Sequence, residues 1–265
     1  MKGEMSLRGF VSLWNALRYV VLPRLCAACG APLPYDGAHP LCSRCSSEVR
    51  ILDGLVCVSC GVPLPDGGAH CFRCRRNRVR LASDLMRGAV AYNGPVRRLV
   101  HKLKFGDCPH LARLLGTYLV DLYTRILGAP TIDWVCAVPL SWSRLLVRGY
   151  NQAELIARHF ARAAGLPYVR ALRRSRSTRP QARLSREQRL RNVRGAFALR
   201  VPADAVAGAV VAVIDDVCTT GQTLDQCARI LKDAGAERVY CLSAARDDGR
   251  SQSAPAGLDK SLRIM

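Results

Sequence analysis

Residues 210–223 read Val-Val-Ala-Val-Ile-Asp-Asp-Val-Cys-Thr-Thr-Gly-Gln-Thr. Five apolar residues deliver two adjacent carboxylates, Asp215 and Asp216, to the head of a loop made of hydroxyls and a glycine. A loop of that kind, opening a helix, offers a phosphate its backbone N–H groups, the helix N-terminus and the hydroxyls of Thr219, Thr220 and Thr223. The two acids accept hydrogen bonds from the vicinal hydroxyls of a ribose, or help hold a magnesium ion. Together these groups describe a phosphoribose site. The pattern GxxxxGK[ST] is absent and no lysine follows Gly221, so this is not a Walker loop; GxSxG and HExxH are absent as well.

A second set of reactive side chains lies near the N-terminus. Cys26 to Cys45 reads CAACGAPLPYDGAHPLCSRC, and Cys57 to Cys74 reads CVSCGVPLPDGGAHCFRC. Each is CxxCG, a Pro-Leu-Pro turn, Gly-Ala-His and a second CxxC, so the segment is an internal repeat. Cys26, Cys29, Cys42 and Cys45, and then Cys57, Cys60, Cys71 and Cys74, supply four soft ligands per repeat, which suits zinc. Gly30 and Gly61 let the backbone turn so that amides face sulfur. A loop-rich unit of about 20 residues has too little core to fold without such a centre. Two structural zinc ions are therefore expected, with pairing inside each repeat or interleaved between them. With four cysteines per site, His39 and His70 read as turn residues. The basic run Arg73, Arg75, Arg76, Arg78 and Arg80 reads either as a solvated linker or as a phosphate-contacting edge.

The elements that must position these groups follow from hydrophobic periodicity. Gly88–Tyr92, Ile132–Val138, Val210–Ile214 and Val239–Ala245 are short apolar runs typical of buried parallel strands. Pro95–Lys104, Leu111–Leu127, Asn151–Ala164 and Thr223–Ala234 read as helices, several stopped by glycine. Such alternation predicts an open, mostly parallel α/β sheet whose ligands bind at the carboxyl ends of its strands, just after residues 138 and 214. Phe10 to Leu25 has helical spacing and is read as an amphipathic helix packing on its own protein, with no signal-peptide cleavage pattern.

Composition bounds the function classes. The chain has 265 residues, 49% hydrophobic and 23% charged, enough for a sizeable core and too apolar for disorder. No apolar run reaches the roughly 18 residues of a membrane span. Eight of its thirteen cysteines stand in CxxC pairs, which points to metal in a reducing, cytoplasmic setting. The net charge of +20 favours polyanionic partners: nucleic acid, a phosphorylated metabolite or an anionic surface.

Three further segments narrow the reading: Ala137-Val-Pro-Leu-Ser-Trp-Ser-Arg144 with Arg148-Gly-Tyr-Asn-Gln-Ala153; Thr178-Arg-Pro-Gln181 ahead of Leu184, Arg189 and Asn192; and Lys102-Leu-Lys-Phe-Gly106. Residues 210–223 resemble the phosphoribosyl-pyrophosphate signature of type I phosphoribosyltransferases. From about Leu25 to Arg246 the chain resembles the ComF family, which includes ComFC and the GntX-like proteins. The resemblance implies a type I phosphoribosyltransferase-like α/β fold, an open, mostly parallel sheet carrying an N-terminal double zinc ribbon. The expected boundaries are 1–25 for the N-terminal helix, 26–80 for the ribbons, 81–246 for the transferase-like domain and 247–265 for the tail.

The same resemblance implies phosphoribosyl pyrophosphate with magnesium as the ligand. Asp215, Asp216 and Arg144 are then the catalytic set, with the acids on the ribose hydroxyls. Val217, Cys218, Thr219, Thr220, Gly221, Gln222 and Thr223 surround the 5-phosphate, Pro139 and Leu140 belong to the pyrophosphate loop, and Ser175 to Arg194 form a flap. In purine-salvage transferases the position of Thr219 is an aspartate that handles the base proton, so the resemblance does not carry purine salvage over to this chain and leaves the acceptor open. The implied chemistry is attack at C1 with pyrophosphate leaving, and no side chain stands out as general base.

Residues 170–200 contain eleven arginines and one acid, Glu187. That exceeds what a small metabolite requires and suits a single strand of DNA, with Tyr168 or Phe197 to stack a base. Arg176, Arg179, Arg183, Arg186, Arg189 and Arg191, with Gln181, are the candidate flap and nucleic-acid contacts. Members of the family are associated with natural transformation, which implies single-stranded DNA and a DNA-uptake helicase or other competence proteins as partners. Two functions stay open: a magnesium-dependent transferase, or a non-catalytic competence factor that binds single-stranded DNA and uses the site to sense a ligand.

Overall fold

A computed structural model describes residues 23–34, 37, 39–77, 80–175 and 195–247. Of the amphipathic helix expected up to Leu25, residues 23–25 are described and are not helical, Leu25 forming a bridge with Pro32; the rest of it, Arg78, the stretch 176–194 with the six candidate flap arginines and Gln181, and the tail beyond residue 247 lie outside the described residues. In chain order the elements are α1 (Ser43–Ser47), α2 (Phe72–Asn77), β1 (Leu85–Ala91), α3 (Gly94–Phe105), α4 (Leu111–Asp121) and β2 (Trp134–Ala137). There follow α5 (Trp142–Arg148), α6 (Gln152–Ala163), β3 (Leu172–Arg174), β4 (Phe197–Leu199), β5 (Val210–Cys218), α7 (Gln222–Asp233) and β6 (Arg238–Arg246).

The four apolar runs form one wholly parallel sheet in the order β1-β6-β5-β2. Val211, Ala212, Val213 and Ile214 of β5 are completely buried, as a strand covered by helices on both faces must be. α6 packs on β2 and β5, α4 on α6, and α7 on β5 and β6. Fully buried Leu99, Leu115, Leu119, Ile156, Phe160 and Leu231 supply the helix side of this core, at about 1.5–3 kcal/mol each relative to exposure.

Local chemistry sets the element ends. α3 begins at Gly94-Pro95 with proline in its first turn, where no N–H is needed. Asn151 caps α6 by accepting from the Ala153 amide at 3.2 Å. Gly149, left-handed at φ 74°, ends α5. Two runs differ from the periodic reading. β5 continues past Ile214 to Cys218, because β6 is long enough to pair with it through Cys218↔Arg246. α4 passes at Leu122 into one wide turn, Leu122–Ile126, which buries Leu122 and Tyr123 together.

The cysteine repeat is also a structural repeat. Gly30 and Gly61 have φ of 77° and 69°, and their amides bond to Cys26 O and Cys57 O. Cys26 N bonds Ala31 O where Cys57 N bonds Val62 O, and the bridges Leu25↔Pro32 and Val56↔Pro63 close the same small hairpin twice. The linker between the ribbons lies antiparallel along β1: Leu52 N donates to Ala89 O and Ala91 N to Arg50 O, both at 2.9 Å.

Candidate functional site

The carboxyl ends of β5 and β2 are neighbours, locked by a 2.9 Å bond from Val138 N to Ile214 O. The loop after β2 therefore opens beside the acids of β5. Between them lies a cleft of about 350 Å³ lined by Pro139, Leu140 and Arg144 on one side and by Asp215 through Leu224 on the other. It brings together Asp215, Asp216, Arg144, Val217, Cys218, Thr219, Thr220, Gly221, Gln222, Thr223, Pro139 and Leu140. The six flap arginines and Gln181 lie outside the described residues, but the stem below them is present. β3 and β4 pair antiparallel, Ser175 Oγ donates to Gly195 O at 2.9 Å, and Arg174 on this stem lines the same cleft.

The phosphate-loop segment is held by its own backbone. Asp215 Oδ1 accepts from Asp216 N at 2.9 Å and Asp216 Oδ1 from Val217 N at 2.7 Å. Gly221 is left-handed at φ 79° and begins α7; a Cβ there would meet Met86 Sδ at 2.6 Å, so only glycine fits both the turn and the contact. A helix starting at this point presents its first-turn amides to an anion.

Sequence periodicity gave no role to Lys104, which the structure places at the centre of the site. Its Nζ lies 2.8 Å from Asp216 Oδ2, and the two side chains are 24% and 10% exposed. Burial works against the ammonium, but Asp216 and then Asp215 outweigh it and raise Lys104 above its ordinary value. Asp215 is shifted most: burial first and the Asp216 carboxylate second push it up to about 8, against the opposing pull of Lys104. The cleft thus holds one carboxylate paired with lysine and one whose proton is retained near neutrality.

The segment Arg148-Gly-Tyr-Asn-Gln also acquires a physical role. Asn151 Nδ2 donates to Val138 O at 3.0 Å, Tyr150 OH to Leu103 O at 2.8 Å, and the Arg148 guanidinium lies 4.8 Å from the Phe105 ring centre. These contacts tie the loop after β2 to α3, the helix that carries Lys104. Tyr92, Arg148, Asn151 and Arg174 also line the cleft.

The cysteines assemble within each repeat: the sulfurs of Cys26, Cys29, Cys42 and Cys45 lie within 4.8 Å of one another, and so do those of Cys57, Cys60, Cys71 and Cys74. Cys29–Cys42 and Cys60–Cys71 sulfur distances are 3.7 and 3.8 Å. A zinc–sulfur bond of about 2.3 Å implies tetrahedral edges of about 3.8 Å, so both sets fit structural zinc. His39 Nδ1 instead accepts from Leu41 N, and His70 Nδ1 lies 3.1 Å from Ser59 Oγ; both act as turn residues. Arg73 of the basic run reaches the phosphate loop, donating to Thr220 O at 3.2 Å.

Comparison with known proteins agrees with this architecture. Residues 17–75 match the double zinc ribbon domain and residues 145–263 the phosphoribosyl transferase domain. The chain is 33% identical over 234 residues to DNA utilization protein YhgH of Salmonella typhi, covering 84% of this chain and 98% of that protein. It is 31% identical over 228 residues to Competence protein F of Haemophilus influenzae, covering 84% and 90%. Competence protein ComFC of Streptococcus pneumoniae is 26% identical over 160 residues, covering 60% and 67%. Among solved structures, adenine phosphoribosyltransferase from Trypanosoma brucei aligns with a TM-score of 0.36 at 14% identity, over 66% of this chain and 91% of that one. Among the described residues no helix is long and apolar enough to cross a membrane.

Proposed function

Because this chain belongs to the ComF family of competence and DNA-utilization proteins, we propose that it binds phosphoribosyl pyrophosphate with magnesium and acts on incoming DNA or its components during DNA uptake. The observation that carries the reading is the convergence of Asp215, Asp216, the Thr219–Thr223 loop and Arg144 on one cleft. Asp215 and Asp216 accept from the two ribose hydroxyls, and the amides and hydroxyls of the loop hold the 5-phosphate. Arg144 and Arg174 face the pyrophosphate from either side. Bound magnesium supplies charge neutralisation for the departing pyrophosphate. Transfer breaks the C1–O bond, the oxygen keeps the electron pair, and an acceptor nucleophile bonds to C1 through an oxocarbenium-like transition state. Rate comes from positioning and charge neutralisation; no side chain stands out as general base, and the proton of an N–H or O–H acceptor passes to the departing pyrophosphate. The ribbons over 26–80 and the transferase-like domain over 81–246 work as one unit in this reading.

Calorimetric titration with phosphoribosyl pyrophosphate and magnesium tests it. Binding is expected in the parent and abolished by Asp215→Ala with Asp216→Ala; a silent parent titration removes the proposal. Pyrophosphate release screened over nucleobase, nucleotide and single-stranded DNA acceptors then separates a transferase from a ligand sensor.

A second reading, single-stranded DNA binding, is favoured by Trp142. It is 72% exposed on α5, with Leu146 and Val147 also exposed, beside a second cavity bordered by Arg158, Arg170, Arg173 and Arg200. An exposed indole among arginines is what stacking a base and neutralising its phosphates requires. Gel-shift affinity should fall steeply with salt and weaken on Trp142→Ala or Arg173→Ala with Arg200→Ala. Absence of binding at low salt removes this reading and leaves the first intact.

A further inference from the structure

The two cysteine centres are built into the molecule in different ways. Cys26, Ala28, Leu33, Leu41 and Cys45 of the first ribbon are buried in one continuous core with Val90 of β1 and Val96, Leu99 and Leu103 of α3. Cys57, Cys60 and Cys74 of the second form a small cluster of their own, against which half-buried Leu81 packs from the main core. The second ribbon meets the phosphate-loop side of the molecule at backbone oxygens: a Cβ on Gly61 would lie 2.0 Å from Met86 O, and Arg73 donates to Thr220 O at 3.2 Å. Two units alike in sequence and in hairpin geometry therefore differ in what they are packed on.

The first centre sits over the junction of β1 and α3. α1, capped by Cys42 and carrying Cys45, ends beside the start of α3, where the Glu48 carboxylate would lie 3.8 Å from a Cβ on Gly94. Just beyond it, Arg50–Leu52 pair with Ala89–Ala91 of β1. One turn into α3, Arg98 Nη2 donates to the sulfur of buried Cys45 at 3.9 Å. Donors of this kind orient a metal ligand from outside the coordination sphere. Arg246, completely buried at the end of β6, makes its sulfur contact instead with Cys218, which belongs to neither centre. Six residues past Arg98, in the last turn of the same helix, Lys104 meets Asp216 at 2.8 Å. Tyr150 OH holds that last turn at Leu103 O, so α3 is tied near both ends, by the tyrosine at one and by the first ribbon at the other.

We infer that metal at Cys26, Cys29, Cys42 and Cys45 anchors α3 through Arg98 and thereby positions Lys104 on Asp216, a role that metal at the second centre does not share. Arg98 is a positioning residue: it acts on the cleft through the helix that carries it. Without metal nothing draws the four sulfurs together, α1 loosens around Cys45, and Arg98 loses its acceptor. The Lys104 end of α3 is then held by Tyr150 alone and opens more often. The inference stands whatever the cleft binds.

Pulse acetylation of the full chain, read lysine by lysine in a mass spectrometer, tests the anchoring, with Lys232 of α7, paired with Asp84 at 2.8 Å, as internal reference. Cys29→Ser should raise the labelling of Lys104 relative to Lys232 about three- to tenfold, the scale of an easier local opening short of unfolding. Cys71→Ser should leave that ratio at the parent value. Zinc release to a chromogenic chelator reads Arg98. Arg98→Met should lose the zinc ion that is missing from Cys29→Ser about 10–100-fold faster than the parent, the range for an outer-shell partner, and Arg98→Lys should restore part of the retention. Lys104 labelling in Arg98→Met should rise in step with that release. If Cys29→Ser does not fold, Arg98→Met, a change at the surface, carries the test in its place. Equal ratios in the two cysteine variants, or zinc lost from the first centre of Arg98→Met with Lys104 still protected, overturn the anchoring. Release at the parent rate, or equal acceleration of both zinc ions, overturns the role of Arg98.

Discussion

Lys104 on α3 and Asp216 on β5 form an ion pair of 2.8 Å at the floor of the cleft, joining the helix after β1 to the strand that carries the phosphate loop. In the proposed complex a ligand hydroxyl meets the carboxylate that the lysine already holds. Lys104 holds Asp216 Oδ2 in place before a ligand arrives. Lys104→Met should therefore weaken phosphoribosyl pyrophosphate binding about tenfold or more in calorimetry, and destabilise the fold by about 1–3 kcal/mol in denaturant unfolding. That is less than the loss for a fully buried pair, because the lysine is partly exposed. Tighter binding in the variant would show that Lys104 is a competitor and not an organiser.

Ligand affinity should depend on pH through Asp215, whose proton is held up to about 8 by burial and by Asp216. In the proposed complex Asp215 accepts from a ribose hydroxyl as the carboxylate, so binding below that value includes the loss of one proton. Affinity is expected to rise from pH 6.5 to about 8, by up to roughly tenfold per unit, and to level above it. Calorimetry in buffers of different ionisation enthalpy reads the released proton directly.

The same residue makes a prediction for stability. The native pKa lies above the unfolded value of about 3.9, so the folded protein binds the extra proton between about pH 4 and 8. Its stability is full below that window and falls as pH rises through it. Asp215→Asn, with the shape of the neutral acid, removes the penalty. It should melt above the parent at pH 8, with a smaller gap at pH 5, while losing ligand affinity at both.

Metal analysis should find about two zinc ions per chain, and one in either Cys45→Ser or Cys74→Ser, since each cluster is complete within its own repeat. Chelation should unfold the second ribbon before the sheet, because its own buried cluster is Cys57, Cys60 and Cys74 with Val62, Leu64, Cys71 and Leu81 against them, whereas Ala28, Leu33 and Leu41 of the first ribbon join the main core. Tryptophan fluorescence reports the sheet separately, through Trp134 on β2.

The parts of the site legible in the sequence are those contiguous in it. The acids and the threonine-glycine loop follow an apolar run within 14 residues, and the cysteines announce themselves by spacing. Lys104 did leave a trace: Val96 and Val100 are buried on α3, and Lys104 continues that stripe at i+4, where an apolar residue is expected. A lysine in that register has a buried partner, but the partner is on another element and periodicity does not name it. Arg246 left less. It ends the run Val239–Ala245, and nothing in a strand's alternation distinguishes a buried terminal arginine from one that has reached solvent. The continuation of β5 past Ile214 was hidden for the same reason, since it depends on the length of β6 beside it.

The backbone pairing of Arg50–Leu52 with Ala89–Ala91 carries a consequence for solution behaviour. A parallel sheet ends in a row of unpaired amides and carbonyls that invites strands from other molecules. The inter-ribbon linker occupies that row on β1, so the cysteine-rich segment serves as a guard against self-association. Deleting residues 23–80 should leave a domain that forms concentration-dependent oligomers in light scattering, even under reducing conditions where disulfide exchange plays no part.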